Sequence, residues 1–316
     1  MLSQSRVFTL VVLSVGLASP SLADIKRDIA DCNASHRVRG AAACTRVMNS
    51  GRLPRRQFYI AYYNRGAAYR KAGKNKRALV DLNRVVRLRP RFAKAYYIRA
   101  LAQHDLGALD KALADMDRYI ELKPNNWSAY YSRAVIRRKR NDPDRALADL
   151  DKAASLNPRA TQVDLMRALA RSDKGEHAAA KAEIDELIAA RPGDPTVYYA
   201  RAIVSFRQRQ FDATTADLDK ALEIKKNFAA AHALKGRVLE ERGRIAEART
   251  SFQEALASPA DLLDGKSAHA IARQRLGEDN KGTAEDAVAL NSEPAQLGCR
   301  RFIPAVGMTL PFDCNE

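Results

Sequence analysis

The chain has 316 residues, 46% hydrophobic and 29% charged, with a formal net charge of +17. Residues 51–100 hold 15 Lys and Arg against one acid, Asp81, a block of +14 that leaves +3 for the rest and excludes a uniformly cationic surface. The five histidines (His36, His104, His177, His232, His269) lie far apart, and no Gly-rich phosphate loop or Gly-x-Ser-x-Gly elbow occurs, so no enzyme, metal site or cofactor is expected.

Residues 1–23 have the form of a targeting signal peptide. Arg6 precedes an apolar run, Val7 to Ala18, shorter than the roughly 20 residues that span a bilayer. Ser21-Leu22-Ala23 then supplies a small-x-small cleavage site, which makes Asp24 the mature N-terminus. No Cys follows for a lipid anchor, and no second apolar run offers a membrane anchor after cleavage. The expected product is exported, to the periplasm or outside the cell. Its four cysteines fall in two close pairs, Cys32 with Cys44 and Cys299 with Cys314, as an oxidising compartment permits. Of three connectivities, the local one is expected.

Prolines at 90, 124, 158 and 192 set a period of 34 residues, and their surroundings repeat with them. With the proline at position 32, units start at Tyr59, Ala93, Trp127, Thr161, Pro195 and Ala229. Position 8 is small throughout: Gly66, Ala100, Ala134, Ala168, Ala202, Gly236. Position 24 is apolar: Leu82, Met116, Leu150, Ile184, Leu218, Phe252. Apolar or small residues at 4, 8 and 11 fit one helical stripe, and those at 20, 24 and 27 a second. Between the stripes sits a breaker at position 15: Gly73, Gly107, Asn141, Gly175, Arg209, Gly243. Each unit therefore reads as a helical hairpin that buries its faces only by stacking on the next.

Tyr62, Gly66, Tyr69, Ala78, Leu82 and Pro90, at positions 4, 8, 11, 20, 24 and 32, make this pattern similar to the tetratricopeptide repeat family. The resemblance covers residues 59–262 as six units and implies an all-α, right-handed superhelix (an α-α solenoid). Asp164 at the aromatic position of unit four, and Lys226 and Ala260 in place of proline, predict less regular packing there.

Extended upstream, a unit starting at Ile25 puts Cys32 at position 8 and Cys44 at position 20, where the helices approach most closely. Residues 24–58 are thus expected to form a disulfide-stapled half-repeat. Downstream, residues 263–277 read as a capping helix ending at Gly277, with Lys266, Arg273 and Arg275 on its wet face. Residues 278–298 read as a linker. Residues 299–316 read as a disulfide-closed tail, in which Pro304, Gly307 and Pro311 exclude a helix and suggest a hairpin-like loop.

Position 7 carries a ladder of Arg65, Arg99, Arg133, Arg167 and Arg201, then Lys235. Position 23 carries Asp81, Asp115, Asp149, Glu183 and Asp217, then Ser251, so the acid disappears where arginine becomes lysine. Structural pairing across each hairpin is expected, since the guanidinium fork meets a carboxylate with two bonds.

The family resemblance implies a concave groove lined by positions 2, 5, 9, 12 and 13. Here these give Tyr63, Tyr97, Tyr131 and Tyr199 at position 5, Arg70, His104 and Arg138 at position 12, and Lys71, Asp105 and Lys139 at position 13. Tyrosine offers large contact area with a polar tip. The alternative is that these tyrosines only pack between neighbouring helices. Tyr63 and Ala67 stand where some family grooves use Lys and Asn to clamp a C-terminal carboxylate, so that mode is not expected.

The function read from this is a monomeric protein–protein interaction scaffold or adaptor of the cell envelope, holding an extended acidic peptide in its groove. Two alternatives stay open: an anionic envelope polysaccharide or polymer bound by the 51–100 region, and a spacer whose tail loop does the binding. Outside the cytoplasm nucleic acid is a poor partner.

Overall fold

A residue with positive φ stands at position 15 of every unit, and it divides each unit into two helices. The values are 75° at Gly73, 78° at Gly107, 64° at Asn141, 93° at Gly175, 58° at Arg209 and 73° at Gly243. An L-residue with a Cβ resists this left-handed conformation, which is why glycine or asparagine fills five of the six sites and why Arg209 is the strained exception. The computed structural model describes residues 22–34, 40–260, 264–277, 299–303 and 308–312. The expected targeting segment (apart from its last two residues), the linker and Cys314 lie outside them.

Helices α1 (Leu22–Asn33) and α2 (Gly40–Asn49) precede a 3₁₀ turn at Arg55–Gln57. Six pairs follow: α3 (Phe58–Lys71) with α4 (Asn75–Leu88), α5 (Ala93–Asp105) with α6 (Leu109–Leu122), and α7 (Trp127–Lys139) with α8 (Pro143–Leu156). Then come α9 (Thr161–Asp173) with α10 (His177–Ala190), α11 (Pro195–Arg207) with α12 (Phe211–Ile224), and α13 (Ala229–Glu241) with α14 (Ile245–Ala257). Helix α15 (Gly265–Leu276) packs on α13 and α14. Strand β1 (Cys299–Ile303) pairs antiparallel with β2 (Met308–Phe312), Cys299 facing Phe312 in register. No helix among the described residues is long and apolar enough to cross a membrane. Contacts divide the chain into an N-terminal half, residues 1–158, and a C-terminal half, residues 159–316.

Within each half the hairpins close on positions 8, 20 and 24. The six position-24 side chains are all essentially buried, as are the small residues at position 20. Positions 8 and 24 approach closely, and glycine stands opposite Leu82 as well as opposite Phe252. Where position 24 is Phe252, position 8 is Gly236, and a Cβ there would meet the phenyl ring at 2.7 Å. Where position 24 is Met116, Leu150 or Ile184, alanine fits at position 8. In the half-repeat the same two helix faces are joined covalently, by the Cys32–Cys44 disulfide.

The missing proline at 226 has less effect than expected, whereas α14, in the unit where Ala260 replaces proline, ends one position earlier than the others, with φ of −87° at Ser258. Helices α4, α6, α8, α10 and α12 all stop at position 30, because the next residue leaves the helix with φ of −143° at Arg89, −145° at Lys123, −146° at Asn157, −141° at Arg191 and −135° at Lys225. Lys225 does so although Lys226, not proline, follows it. The carbonyl at position 32 is met instead by the side chain at position 4 of the next unit: Tyr96 to Pro90 at 3.1 Å, Tyr198 to Pro192 at 3.2 Å, and His232 to Lys226 at 2.8 Å.

The arginine ladder closes as two-bond pairs. Arg65 reaches Asp81 at 2.7 and 2.8 Å, and Arg99 reaches Asp115 at 2.7 and 2.6 Å. Arg133 reaches Asp149, and Arg201 reaches Asp217, each at 2.9 and 2.6 Å. The four carboxylates are buried. A third bond runs from the remaining guanidinium nitrogen to position 25 of the preceding unit: Arg99 to Asn83 at 2.9 Å, Arg133 to Asp117 at 2.6 Å and Arg201 to Asp185 at 2.7 Å. Lys235, which lacks an acid at 251, keeps this third contact alone, with Asp219 at 2.7 Å. Unit four is looser, as Asp164 predicts. Arg167 is shared between Asp164 at 3.5 Å and Glu183 at 3.8 Å, while Arg171 takes Glu183 at 3.0 Å.

Candidate ligand-binding surface

In the N-terminal half, α3, α5 and α7 hold Tyr63, Tyr97 and Tyr131 half-buried, each against a second aromatic ring. Tyr63 meets Phe92 edge-on at 5.1 Å, Tyr97 leans on Tyr119 at 5.1 Å, and Tyr131 meets Trp127 edge-on at 6.4 Å. Burial pushes the Tyr63 phenol above its usual pKa, aided by the nearby Tyr119. The Tyr97 hydroxyl lies 3.0 Å from Ser132 Oγ on α7, which ties α5 to α7. The three rings are therefore fixed by packing on one side and accessible on the other. The packing reading of these tyrosines describes these contacts.

Basic side chains edge the row. Arg70 on α3 is half-buried, 3.9 Å from Asp105 on α5. His104 Nδ1 is 3.4 Å from the same carboxylate, and Lys139 Nζ comes within 3.5 Å of the His104 carbonyl. Lys71 is exposed and Arg138 half-buried. Positions 12 and 13 of these helices thus carry four firm cations and one acid, of which Arg70 is the cation shown beside Asp105. The Arg70 Nε–H is buried and meets no hydrogen-bond acceptor among the described residues.

The C-terminal half differs. Tyr199 is only 6% exposed, its ring packed on Phe228 at 5.1 Å and its hydroxyl donating to Asp264 at 3.4 Å. Leu165 and Ala233, at the same position, are buried too. Tyr199 is a packing residue, contrary to its expected place in the groove, because Phe228 packs on its ring and Asp264 takes its hydroxyl. His177 and His269 are also engaged locally, with Ser172 Oγ at 3.1 Å and the Ser258 carbonyl at 2.8 Å. Sequence reasoning missed Gln103, whose buried Oε1 lacks a donor at a position where the family pattern has tyrosine. Only the departure from that pattern could have signalled it.

Comparison with known proteins places this hairpin array. Residues 63–126 match the tetratricopeptide repeat, and residues 98–275, more than half of the chain, match the tetratricopeptide repeat-like domain. The chain belongs to the tetratricopeptide repeat-like family. Among solved structures, this tetratricopeptide repeat (TPR) protein is similar to one from Parabacteroides merdae at 20% identity and a TM-score of 0.68, over 79% of this chain and 97% of that one. It is also similar to PilW, a widely conserved type IV pilus biogenesis factor, at 17% identity and a TM-score of 0.50, over 67% of this chain and 98% of that one. At these identities the likeness shows the fold alone. No curated protein matches the TPR chain. Repeats of this family suggest a scaffold for protein–protein interaction, and such scaffolds are typically non-enzymatic.

Proposed function

We propose that this TPR protein is an exported adaptor that holds an extended acidic peptide segment across α3, α5 and α7. The observation that carries the reading is the row of Tyr63, Tyr97 and Tyr131 flanked by Arg70, Lys71, Arg138 and Lys139, with the Arg70 Nε–H unanswered among the described residues. Rings already held by Phe92, Tyr119 and Trp127 lose little freedom when a ligand arrives, so their contact area converts efficiently into affinity. The cations add selection for carboxylates and set the ligand's register. Export is supported by the Cys32–Cys44 disulfide, which suits an oxidising compartment.

The single tryptophan of the chain, Trp127, stacks beside Tyr131 and reports on this surface directly. Titration with a Glu-rich peptide should change Trp127 fluorescence saturably, while a Lys-rich peptide of equal length should not. Arg138→Gln with Lys71→Gln should weaken the acidic peptide and leave the far-UV circular dichroism unchanged. Equal response to both peptides, or none to either, would overturn the proposal.

A further inference from the structure

Helix α4 turns away from the core a stripe unlike that of every other outer helix. Its buried side is Ala78, Asp81, Leu82 and Val85, and the opposite side is Lys76, Val80, Asn83 and Arg87, at positions 18, 22, 25 and 29. The same four positions read Asp110, Ala114, Asp117 and Glu121 on α6, and Asp212, Ala216, Asp219 and Glu223 on α12. On α8, α10 and α14 they hold acids, alanine or small polar residues, and no cation. Across the six units this stripe is acidic or neutral five times and cationic once, and its central residue, alanine in four units and threonine in one, is there a valine left 49% exposed.

Among the described residues, the cations around this stripe lack carboxylate partners. Elsewhere some surface cations lean on neighbouring acids, as in Arg118 with Glu121 at 2.7 Å and Lys220 with Glu223 at 2.9 Å. Among the described residues, Lys76, Arg84, Arg87, Arg89, Arg91 and Lys94 make no ion pair, and the one acid of the block, Asp81, is buried and taken by Arg65. Arg84 and Arg89 lie over the rings of Tyr62 and Tyr59, at 5.3 and 5.2 Å, which positions them without neutralising them. Beyond Arg87, Leu88 is 55% exposed.

We propose that this face of α4, with the turn that follows it, docks the protein peripherally on an anionic bilayer. A flat helical face some 20 Å long, with aliphatic side chains set among long cationic ones, matches an interface where charge meets headgroups and the aliphatics enter the acyl boundary. A soluble polyanion would use the charges and gain nothing from Val80 and Leu88. The face is separate from the tyrosine row, so membrane docking and peptide capture are independent.

The test is co-sedimentation of the full chain with vesicles of phosphatidylcholine alone or mixed with phosphatidylglycerol. Binding is expected only to the mixed vesicles. Lys76→Gln with Arg87→Gln, both at exposed positions, should lower partitioning roughly thirty-fold, on the scale of surface lysine and arginine contacts. Val80→Ser with Leu88→Ser should lower it again while leaving retention by a soluble anionic polysaccharide unchanged. Arg138→Gln should leave vesicle binding intact. Equal binding to both vesicle types, indifference to the Gln pair, or a Ser pair that binds mixed vesicles like the parent chain would overturn the proposal. The last outcome would assign the face to a soluble polyanion instead.

Discussion

Arg99→Met removes one partner of a buried ion pair and leaves the other in place. The Asp115 side chain is 7% exposed and accepts two bonds from Arg99, at 2.7 and 2.6 Å, with no other cation paired to it among the described residues. Breaking such a pair from one side costs about 3–5 kcal/mol, because a charge remains in the protein without compensation. The loss should lie in the upper part of that range, since Arg99 also bonds Asn83 of the preceding hairpin at 2.9 Å. Replacing both partners, Arg99→Met with Asp115→Leu, removes the stranded charge and should recover most of the stability. Arg133→Met should cost less, because Arg137 still reaches Asp149 at 2.7 Å. Urea unfolding followed by far-UV circular dichroism measures all three. Arg118→Met, at a solvent-exposed pair, sets the baseline of about 1 kcal/mol or less. An Arg99→Met loss no larger than that baseline would refute the structural role assigned to the ladder.

Arg209 has φ of 58° where most units carry glycine, so Arg209→Gly should be more stable than Arg209→Ala by about 1 kcal/mol in the same unfolding assay. Both variants lose the Arg209–Glu241 contact, so the comparison isolates the Cβ. Gly236→Ala should destabilise by about 1–3 kcal/mol, since the new methyl meets the Phe252 ring at 2.7 Å, and Phe252→Leu in the same chain should restore part of the loss. Reducing the Cys32–Cys44 disulfide releases a constraint across a 12-residue separation, worth about 3 kcal/mol on chain-entropy grounds. Hydrogen exchange should then rise in α1 and α2 while the amides of α5 to α8 keep their protection.

Much of the fold was legible because one unit is written six times. Positions 8, 20 and 24 identified the hairpin contact, position 15 the left-handed break, and the backward extension of the register the Cys32–Cys44 bridge. The pairing of positions 7 and 23 was readable because Lys235 and Ser251 depart together. Two kinds of feature were not legible. The third guanidinium bond, to Asn83, Asp117 or Asp185, joins one unit to the previous one, and a reading made unit by unit has no reason to look there. Phe228 stands against Tyr199 at the same unit position as Phe92 against Tyr63, so what sets Tyr199 apart is Asp264, beyond the sixth unit, which its own position could not reveal. The proline signal was overread at Lys226, where the extended Lys225 ends the helix without it, but not at Ala260, where α14 stops one position early. Of the tyrosine row, the sequence indicated which helices carry it; the rings that brace it belong to positions with no fixed identity.

The forked contact of each ladder arginine bears on how such an array can lengthen. A duplicated hairpin must bring its own carboxylate for the arginine it carries and must also offer an acceptor to the arginine of whatever follows. Asp117, Asp185 and Asp219 meet the second condition with a charge, Asn83 with a neutral amide. A copied hairpin bearing aspartate at that site could be spliced ahead of any ladder arginine, whereas one bearing the Asn83 amide would give its successor a weaker joint. The grammar of growth therefore lies in the seam between hairpins.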